Sequence, residues 1–170
     1  MVKTMDKPTS KREPIRIYAD TSVYGGVFDK EFGVASAEFL RQVGNGRFRL
    51  IISSVVREEI IPAPPQVRAL FRDCEKLAEI VVVTEPALQL QRSYLDAGIV
   101  GPQWNADALH VALATASRCA LIVSWNFKHI VNYKRIPLYN KVNVAMGHAP
   151  IGIYSPLEVI CDDGTSEKSV

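Results

Sequence analysis

The chain has 170 residues, of which 48% are hydrophobic and 22% are charged, and its formal net charge is +2. This composition predicts one globular domain with a real core and excludes a chain that is disordered throughout. A net charge so close to zero neither requires nor excludes a nucleic-acid partner, because a local basic patch matters more than the sum. No apolar run approaches the ~20 residues that a membrane-spanning helix needs, so we expect no membrane association.

The two ends of the chain are polar and differ from the middle. Residues 1–13 predict a flexible tail, residues 14–160 a single domain, and residues 161–170 a frayed C-terminus. The N-terminus lacks the apolar centre of a secretion signal. Three cysteines stand far apart and form no CxxC pattern: Cys74, Cys119 and Cys161. We therefore expect a cytoplasmic protein with buried free thiols.

Short apolar runs alternate with helical patterns along the domain. The predicted strands are 15–19, 48–53, 79–83, 120–125 and, at an edge, 151–155. The predicted helices are 34–43, a short helix capped by Ser53 or Ser54, 65–78, 86–97, 105–118 with Asn105 as its cap, and 135–147. Gly25 and Gly26 predict a turn. This alternation predicts an α/β fold, a three-layer α/β/α sandwich with a central, mostly parallel sheet.

Four polar residues lie where predicted strands end or helices begin. Asp20 follows the first strand, and Glu59 lies in the short helix after the second. Asp107 opens an alanine-rich helix, and Asn126 follows the fourth strand. In an open α/β sheet, ligands bind at the carboxyl ends of the strands. Carboxylates gathered there repel one another unless a cation neutralises them, and hard oxygen ligands suit Mg²⁺ or Mn²⁺. The pattern predicts metal-assisted chemistry on phosphodiesters.

Each of these positions also has a purely structural interpretation. Asp20 and Asn126 are favourable helix-cap residues. The helix dipole stabilises a carboxylate in the first turn, such as Asp107, by ~0.3–1 kcal/mol. Glu58 and Glu59 point about 100° apart on a helix, so periodicity leaves open which of them faces the site.

Histidines and cations near these positions have two interpretations as well. His110 lies nearly on the same helix face as Asp107, and a packed, hydrogen-bonded imidazole is its simpler interpretation. Lys128 and His129 follow Asn126 and either contact a phosphate or form a solvated face. Other candidate cations for nucleic-acid binding are Arg57, Lys134, Arg135 and, in the tail, Lys7, Lys11 and Arg12.

Four segments together resemble PIN-domain nucleases, and especially the VapC-like toxins of bacterial toxin–antitoxin pairs. The segments are "YADTSVYGG", "ISSVVREEI", "DALHVALATA" and "LIVSWNFKHIVN". The resemblance extends from about residue 15 to residue 160, and the last two segments are its most specific part. It implies a Rossmann-like α/β/α sandwich with acidic residues that bind one or two Mg²⁺ or Mn²⁺ ions.

The resemblance also implies roles for individual residues. Asp20, Glu59 and Asp107 match the metal-binding acids, with Glu58 as the alternative to Glu59. Asn126 stands where the family usually has a fourth acid, which weakens the case for a second tightly bound metal. It remains a catalytic candidate that positions a water or a weaker ion.

Thr21 and Ser22 match a segment whose hydroxyl supports the first acid or a metal-bound water, and with Lys128 and His129 they are the candidate substrate-binding residues. The implied activity is metal-dependent hydrolysis of RNA by a cytoplasmic toxin, which forms a homodimer and binds a small antitoxin protein. Two alternatives stay open. One is a catalytically weak or inactive PIN-like module that binds RNA or protein. The other is a nuclease that processes RNA or cuts single-stranded DNA.

Overall fold

Within residues 13–161, which a computed structural model describes, five strands form one sheet in the order β3-β2-β1-β4-β5. Every neighbouring pair of strands is parallel, which confirms the predicted α/β class. The strands are β1 (Ile15–Ala19), β2 (Phe48–Ser53), β3 (Glu79–Val81), β4 (Leu121–Val123) and β5 (Gly152–Tyr154). The predicted tail and frayed C-terminus lie, except for residues 13 and 161, outside this range.

Helices connect these strands and flank the sheet. They are α1 (Thr21–Gly26), α2 (Gly33–Gly44), α3 (Ser54–Ile60), α4 (Pro65–Glu75), α5 (Glu85–Asp96), α6 (Asn105–Ala116), α7 (Ile136–Ala145) and α8 (Pro156–Val159), with a 3₁₀ turn at Pro102–Trp104. No helix of the described range is long and apolar enough to cross a membrane.

The strand order places the helices on both faces of the sheet. The connections from β1 to β2 and from β2 to β3 run in one direction, and the connections to β4 and β5 run in the other. Because parallel crossovers are right-handed, this reversal puts the two sets of helices on opposite faces. The packing agrees, since α5 contacts α6 and α7, whereas α2 contacts α1, α8 and β2.

The core is built on the central strands. Ile17 and Tyr18 of β1 and Ile51 of β2 are completely buried, as expected for parallel strands covered on both faces. Helix α6 packs closely because its buried side chains include Ala108, Ala112 and Ala114. This packing brings the first turn of α6, with Asp107, close to the sheet.

Several local predictions differ from the structure. Gly25 and Gly26 end α1 rather than forming a turn, and a Cβ on Gly26 would lie 2.7 Å from Oγ of Ser36 and 2.8 Å from Nε1 of Trp125. β3 stops before the exposed Val82, because its register with β2 ends at Ser53.

Two further predictions at single residues are wrong. Asn105 is the first residue of α6 rather than its cap, since the 3₁₀ turn leads straight into the helix and puts Trp104 at the cap position. Cys161 is exposed, whereas Cys74 and Cys119 are buried, and all three thiols are free.

Candidate active site

Asp20 lies at the point where the strand order reverses. β1 and β4 are neighbours there, and the backbone N–H of Asp20 donates to the carbonyl of Val123 at 3.1 Å. Oδ1 of Asp20 accepts hydrogen bonds from the N–H and the hydroxyl of Ser22, so Asp20 also caps α1. Oδ2 accepts from the hydroxyl of Ser124 at 2.8 Å. The crevice at such a reversal is the usual ligand site of an open α/β sheet.

The environment of Asp20 opposes its negative charge. Burial raises the pKa of the carboxyl, and the charge of Glu59 raises it further. The charge of His110 and the hydrogen bonds from Ser22 and Ser124 lower the pKa, but the net effect is a pKa above the usual value. Ionised Asp20 is therefore a group that a nearby cation would stabilise.

Glu59, rather than Glu58, faces the same end of the sheet. Ser53 caps α3, whose buried face carries Val56 and Ile60. This leaves Glu58 exposed and turns Glu59 inward, where its carboxylate accepts hydrogen bonds from Oγ1 of Thr21 and from Nε2 of His110. Burial acts to raise the pKa of Glu59, but the bonds from His110 and Thr21 and the charge of His110 outweigh it, so the pKa lies below 4.5.

His110 links Glu59 to a buried chain of hydroxyls. Its side chain is 4% exposed, and Nε2 lies 3.0 Å from the Glu59 carboxylate. Nδ1 lies 2.7 Å from the hydroxyl of Tyr18, which lies 2.7 Å from Oγ of Ser53. Since a carboxylate only accepts, Nε2 carries a proton. The structure therefore agrees with the simpler interpretation of His110 as a packed, hydrogen-bonded imidazole. In this position His110 also holds the carboxylate of Glu59, a candidate catalytic residue.

Asp107 is held by a second histidine. Nδ1 of His129 lies 2.7 Å from Oδ2 of Asp107. The backbone of His129 is itself fixed, because its N–H donates to Oδ1 of Asn126 at 2.9 Å and its carbonyl accepts from the Tyr139 hydroxyl at 2.9 Å. The side-chain oxygen of Asn126 therefore acts as a cap for the turn that follows β4, the structural role considered for it from the sequence.

The imidazole of His110 bonds to Glu59 and also experiences the charges of Asp20 and Asp107. The charges of Asp20, Glu59 and Asp107, called here the carboxylate cluster, all act on His110. Burial lowers the pKa of His110, but the hydrogen bond from Glu59 and these three charges raise it above 6.5. The fold thus gathers the predicted acids at one end of the sheet, beside the β1–β4 crevice.

The carboxylate cluster fits a divalent cation by the chemistry of its donors. Carboxylate oxygens are the preferred ligands of Mg²⁺ and Mn²⁺. Among residues 13–161, however, no three His, Cys, Asp or Glu side chains stand close enough to hold one ion together. Asp20, Glu59 and Asp107 would hold such an ion directly or through water. Mg²⁺ commonly retains several waters in this way.

The predicted hydroxyls and cations have defined positions. Thr21 and Ser22 bond to Glu59 and Asp20, so they orient the carboxylates. Lys128 is exposed, and its Nζ lies 5.2 Å from the centroid of the Trp104 ring. Of the other candidate cations, Arg57 pairs with Glu75, Lys134 lies over the Tyr133 ring, and Arg135 donates to the carbonyl of Ile99. Lys7, Lys11 and Arg12 lie outside the described residues.

Sequence reasoning missed four residues that support the cluster. Ser124 bonds Asp20, Tyr18 and Ser53 bond to each other and connect to His110, and Trp104 packs on His129. One of them carried a signal, because Tyr18 is the only hydroxyl in the β1 pattern "IRIYA" and lies between the apolar Ile17 and Ala19. A buried tyrosine hydroxyl needs a partner, and that need points to a polar network beneath the site.

No family model and no curated protein matches the chain. Among solved structures, the chain is similar to VapBC2 from Rickettsia felis, whose crystal structure contains a DNA fragment from their promoter. The match covers 67% of this chain and 90% of that chain, at 18% sequence identity and a TM-score of 0.49. A likeness at this level carries no information about activity or partner, and the fold class follows from the parallel sheet itself.

Proposed function

We propose that the chain is a Mg²⁺- or Mn²⁺-dependent nuclease that hydrolyses phosphodiester bonds of RNA. The observation that carries the proposal is the position of three acids at one end of the sheet: Asp20 follows β1 and caps α1, Glu59 bonds to Thr21 and His110, and Asp107 lies in the first turn of α6. Carboxylates gathered at one end of a sheet oppose an anionic substrate unless a cation offsets their charge. A divalent cation that does so is also suited to phosphodiester hydrolysis.

In this proposal Asp20, Glu59 and Asp107, the carboxylate cluster, would hold the metal directly or through water. A divalent cation bound there lowers the pKa of a coordinated water and offsets charge on the phosphoryl oxygens. Ser22 and Ser124 orient Asp20 for this task. His110 and Thr21 hold Glu59 in its ionised form, and His129 holds Asp107.

The biological role is proposed on the motif resemblance. The segments "DALHVALATA" and "LIVSWNFKHIVN" resemble those of VapC-like toxins, so we propose a cytoplasmic toxin that forms a homodimer and binds a small antitoxin. This role predicts that a small protein is encoded beside the gene, and co-expression of the chain with that protein tests it. A toxin should arrest growth alone and be purified with its neighbour when both are present. Growth that is unaffected by the chain alone would contradict it.

Cleavage of a panel of labelled RNAs in Mn²⁺, Mg²⁺ or EDTA tests the proposed activity. We expect metal-dependent cleavage that is lost in Asp20→Asn and Asp107→Asn. Glu59→Gln and Glu58→Gln form a matched pair, since the two residues are adjacent but only Glu59 faces the site. Cleavage should fall at least tenfold in Glu59→Gln and stay unchanged in Glu58→Gln, with circular dichroism as the control for folding. Equal activity of Asp20→Asn, Asp107→Asn and wild type would overturn the proposal.

A second candidate function is a PIN-like module that binds RNA or protein without cutting it. The observation that favours it concerns Asn126. Its side-chain oxygen accepts a hydrogen bond from the backbone N–H of His129, whereas an acid at this position could offer a carboxylate oxygen to a metal. This module would bind RNA equally well in Mn²⁺ and in EDTA and leave it intact. Turnover that appears with Mn²⁺ and disappears with EDTA excludes this candidate.

A further inference from the structure

A large aromatic side chain lies exposed beside the carboxylate cluster. Trp104 ends the 3₁₀ turn Pro102–Trp104 and stands directly before α6, three residues ahead of Asp107. It is 40% exposed. An exposed tryptophan next to a candidate active site is a strong indication of a binding surface, because indole rings are enriched where a partner covers them.

The packing of His129 against Trp104 fixes the orientation of the indole ring. Its ring centroid lies 4.3 Å from that of His129, at an interplanar angle of 34°. His129 is buried, and the bond from its Nδ1 to Asp107 holds the imidazole in place. The contacts therefore run from Trp104 through His129 to Asp107. A planar group that stacked on Trp104 would lie at a defined position relative to the candidate catalytic carboxylate.

A cation that lies over the Trp104 ring, and that pairs with no carboxylate among residues 13–161, completes this surface. Nζ of Lys128 lies 5.2 Å from the centroid of the Trp104 ring, and within residues 13–161 no carboxylate stands within ion-pair distance of it. The lysine side chain is exposed and flexible, so it can move aside for a ring and bind a neighbouring anion. A flat aromatic face beside a free cation is complementary to a nucleotide, which combines a planar base with a phosphate.

We propose that Trp104 stacks on an unpaired base of the substrate strand and that Lys128 binds a phosphate next to that base. The inference rests on the proposed nuclease function and assigns Trp104 as a residue that positions the substrate. Inside a duplex both faces of a base are covered by neighbouring bases, so an internal base reaches the indole only where the strand is unpaired. The stack places the adjacent phosphodiester beside Asp107. Trp104 is then a residue that positions the substrate and selects unpaired RNA.

Binding of fluorescein-labelled RNA in Ca²⁺, which takes carboxylate ligands and so offsets the charge of the cluster, tests this inference, and a gel checks that the RNA stays intact. A short single strand and a duplex of the same sequence are titrated with wild type, Trp104→Ala, Trp104→Phe and Lys128→Gln, and circular dichroism checks that each variant folds. We expect Trp104→Ala to raise the Kd for the single strand about tenfold and Trp104→Phe to restore most of the affinity. Lys128→Gln should weaken binding and reduce its salt dependence. Tyr133→Ala, which removes a ring that is 79% exposed, is the matched control and should bind as wild type.

The outcomes separate this inference from the proposed function. An unchanged Kd in Trp104→Ala, an equal loss for single strand and duplex, or no RNA binding by wild type would overturn the inference. RNA cleavage with the same kcat and KM in Trp104→Ala and wild type would also overturn it while leaving the nuclease proposal intact. Binding of the single strand that depends on Trp104, in a protein that never cleaves RNA, supports the stacking surface and contradicts the nuclease.

Discussion

The hydroxyl of Tyr18 lies 2.7 Å from Nδ1 of His110, in a region where both side chains are almost fully buried. Because Nε2 of His110 donates to Glu59, Nδ1 of the neutral ring is an acceptor, and the tyrosine hydroxyl donates to it. The hydroxyl of Ser53 is then free to donate to the tyrosine oxygen at 2.7 Å. Glu59 thus sets the tautomer of the imidazole, and Tyr18 helps to fix its orientation from the Nδ1 side.

Tyr18→Phe should destabilise the fold, although the aromatic ring is kept. The variant leaves Nδ1 of His110 without a donor and the Ser53 O–H without an acceptor in a buried region, although Oγ of Ser53 still accepts from the Val56 N–H, and the loss costs about 1–3 kcal/mol. For a chain of this size, each kcal/mol corresponds to a fall of about 2–4 °C in Tm. Urea denaturation measures the loss. Tyr133→Phe, at an exposed tyrosine, should leave Tm unchanged. Equal Tm values for wild type and Tyr18→Phe would show that the hydroxyl chain contributes nothing.

The Glu59–His110 pair predicts a specific pH dependence of stability. The pKa of Glu59 is lowered, so its contribution is present above its unfolded pKa and is lost as the pH falls through the folded value. The pKa of His110 is raised, so its contribution is fully present below its unfolded pKa and is lost as the pH rises through the folded value. The pair therefore contributes most between pH 4.5 and pH 6.5, the ordinary pKa values of the two groups.

Comparison of wild type with Glu59→Gln in EDTA, from about pH 3 to about pH 9, tests this dependence. The difference in the free energy of unfolding should be greatest between pH 4.5 and pH 6.5 and should shrink on both sides. His110 still experiences the charges of Asp20 and Asp107 in the variant, so part of its own pH dependence remains. A difference that is constant across the range would mean that the two groups do not titrate as a pair.

Asp20→Asn should stabilise the metal-free protein while it abolishes cleavage. Folding raises the pKa of Asp20, so the ionised carboxylate costs stability as the pH rises from its unfolded pKa to the folded value. Asparagine removes that cost and keeps an oxygen to accept from Ser22 and an amide that can donate to Oγ of Ser124. We expect Tm in EDTA to be equal to or a few degrees above that of wild type.

Addition of Mn²⁺ should reverse this ranking. An ion that binds only the folded state stabilises it by about 2.7 kcal/mol at a concentration 100 times its Kd. Wild type should therefore gain Tm with Mn²⁺, and Asp20→Asn should gain far less. The same rise in both proteins would place the ion away from Asp20 and contradict its assignment as a ligand.

The sequence allowed the sheet and the approximate site to be predicted for a simple physical reason. Buried parallel strands are apolar runs that end abruptly, so the polar residue after each run marks the carboxyl edge of the sheet. This located Asp20 and Asn126 correctly after β1 and β4. It did not show that the side chain of Asn126 would bond the backbone of His129, because that bond depends on the turn that follows β4.

Contacts between elements, rather than the local sequence pattern, select Glu59 over Glu58 and leave Trp104 exposed beside Asp107. Glu58 and Glu59 are equally placed by helical periodicity, and only the positions of Thr21 on α1 and His110 on α6 select Glu59. No sequence pattern indicated a role for Trp104. Its exposure beside Asp107 depends on the 3₁₀ turn that takes the place of the predicted cap at Asn105. Contacts between elements far apart in the chain are therefore what assemble the candidate site.

Of the three cysteine thiols, we expect one to react rapidly with a thiol reagent and two to be protected by burial. Burial raises the pKa of Cys74 to about 11 and that of Cys119 to about 12, so neither forms much thiolate near neutral pH. Cys161 is exposed, beside the guanidinium of Arg47. At about pH 8, where an ordinary exposed thiol is partly ionised, DTNB should titrate one thiol of the native protein rapidly and all three only after denaturation. Cys161→Ser should abolish the rapid phase. A second thiol that reacts rapidly in the native wild-type protein would mean that the fold opens locally and exposes Cys74 or Cys119 to the reagent.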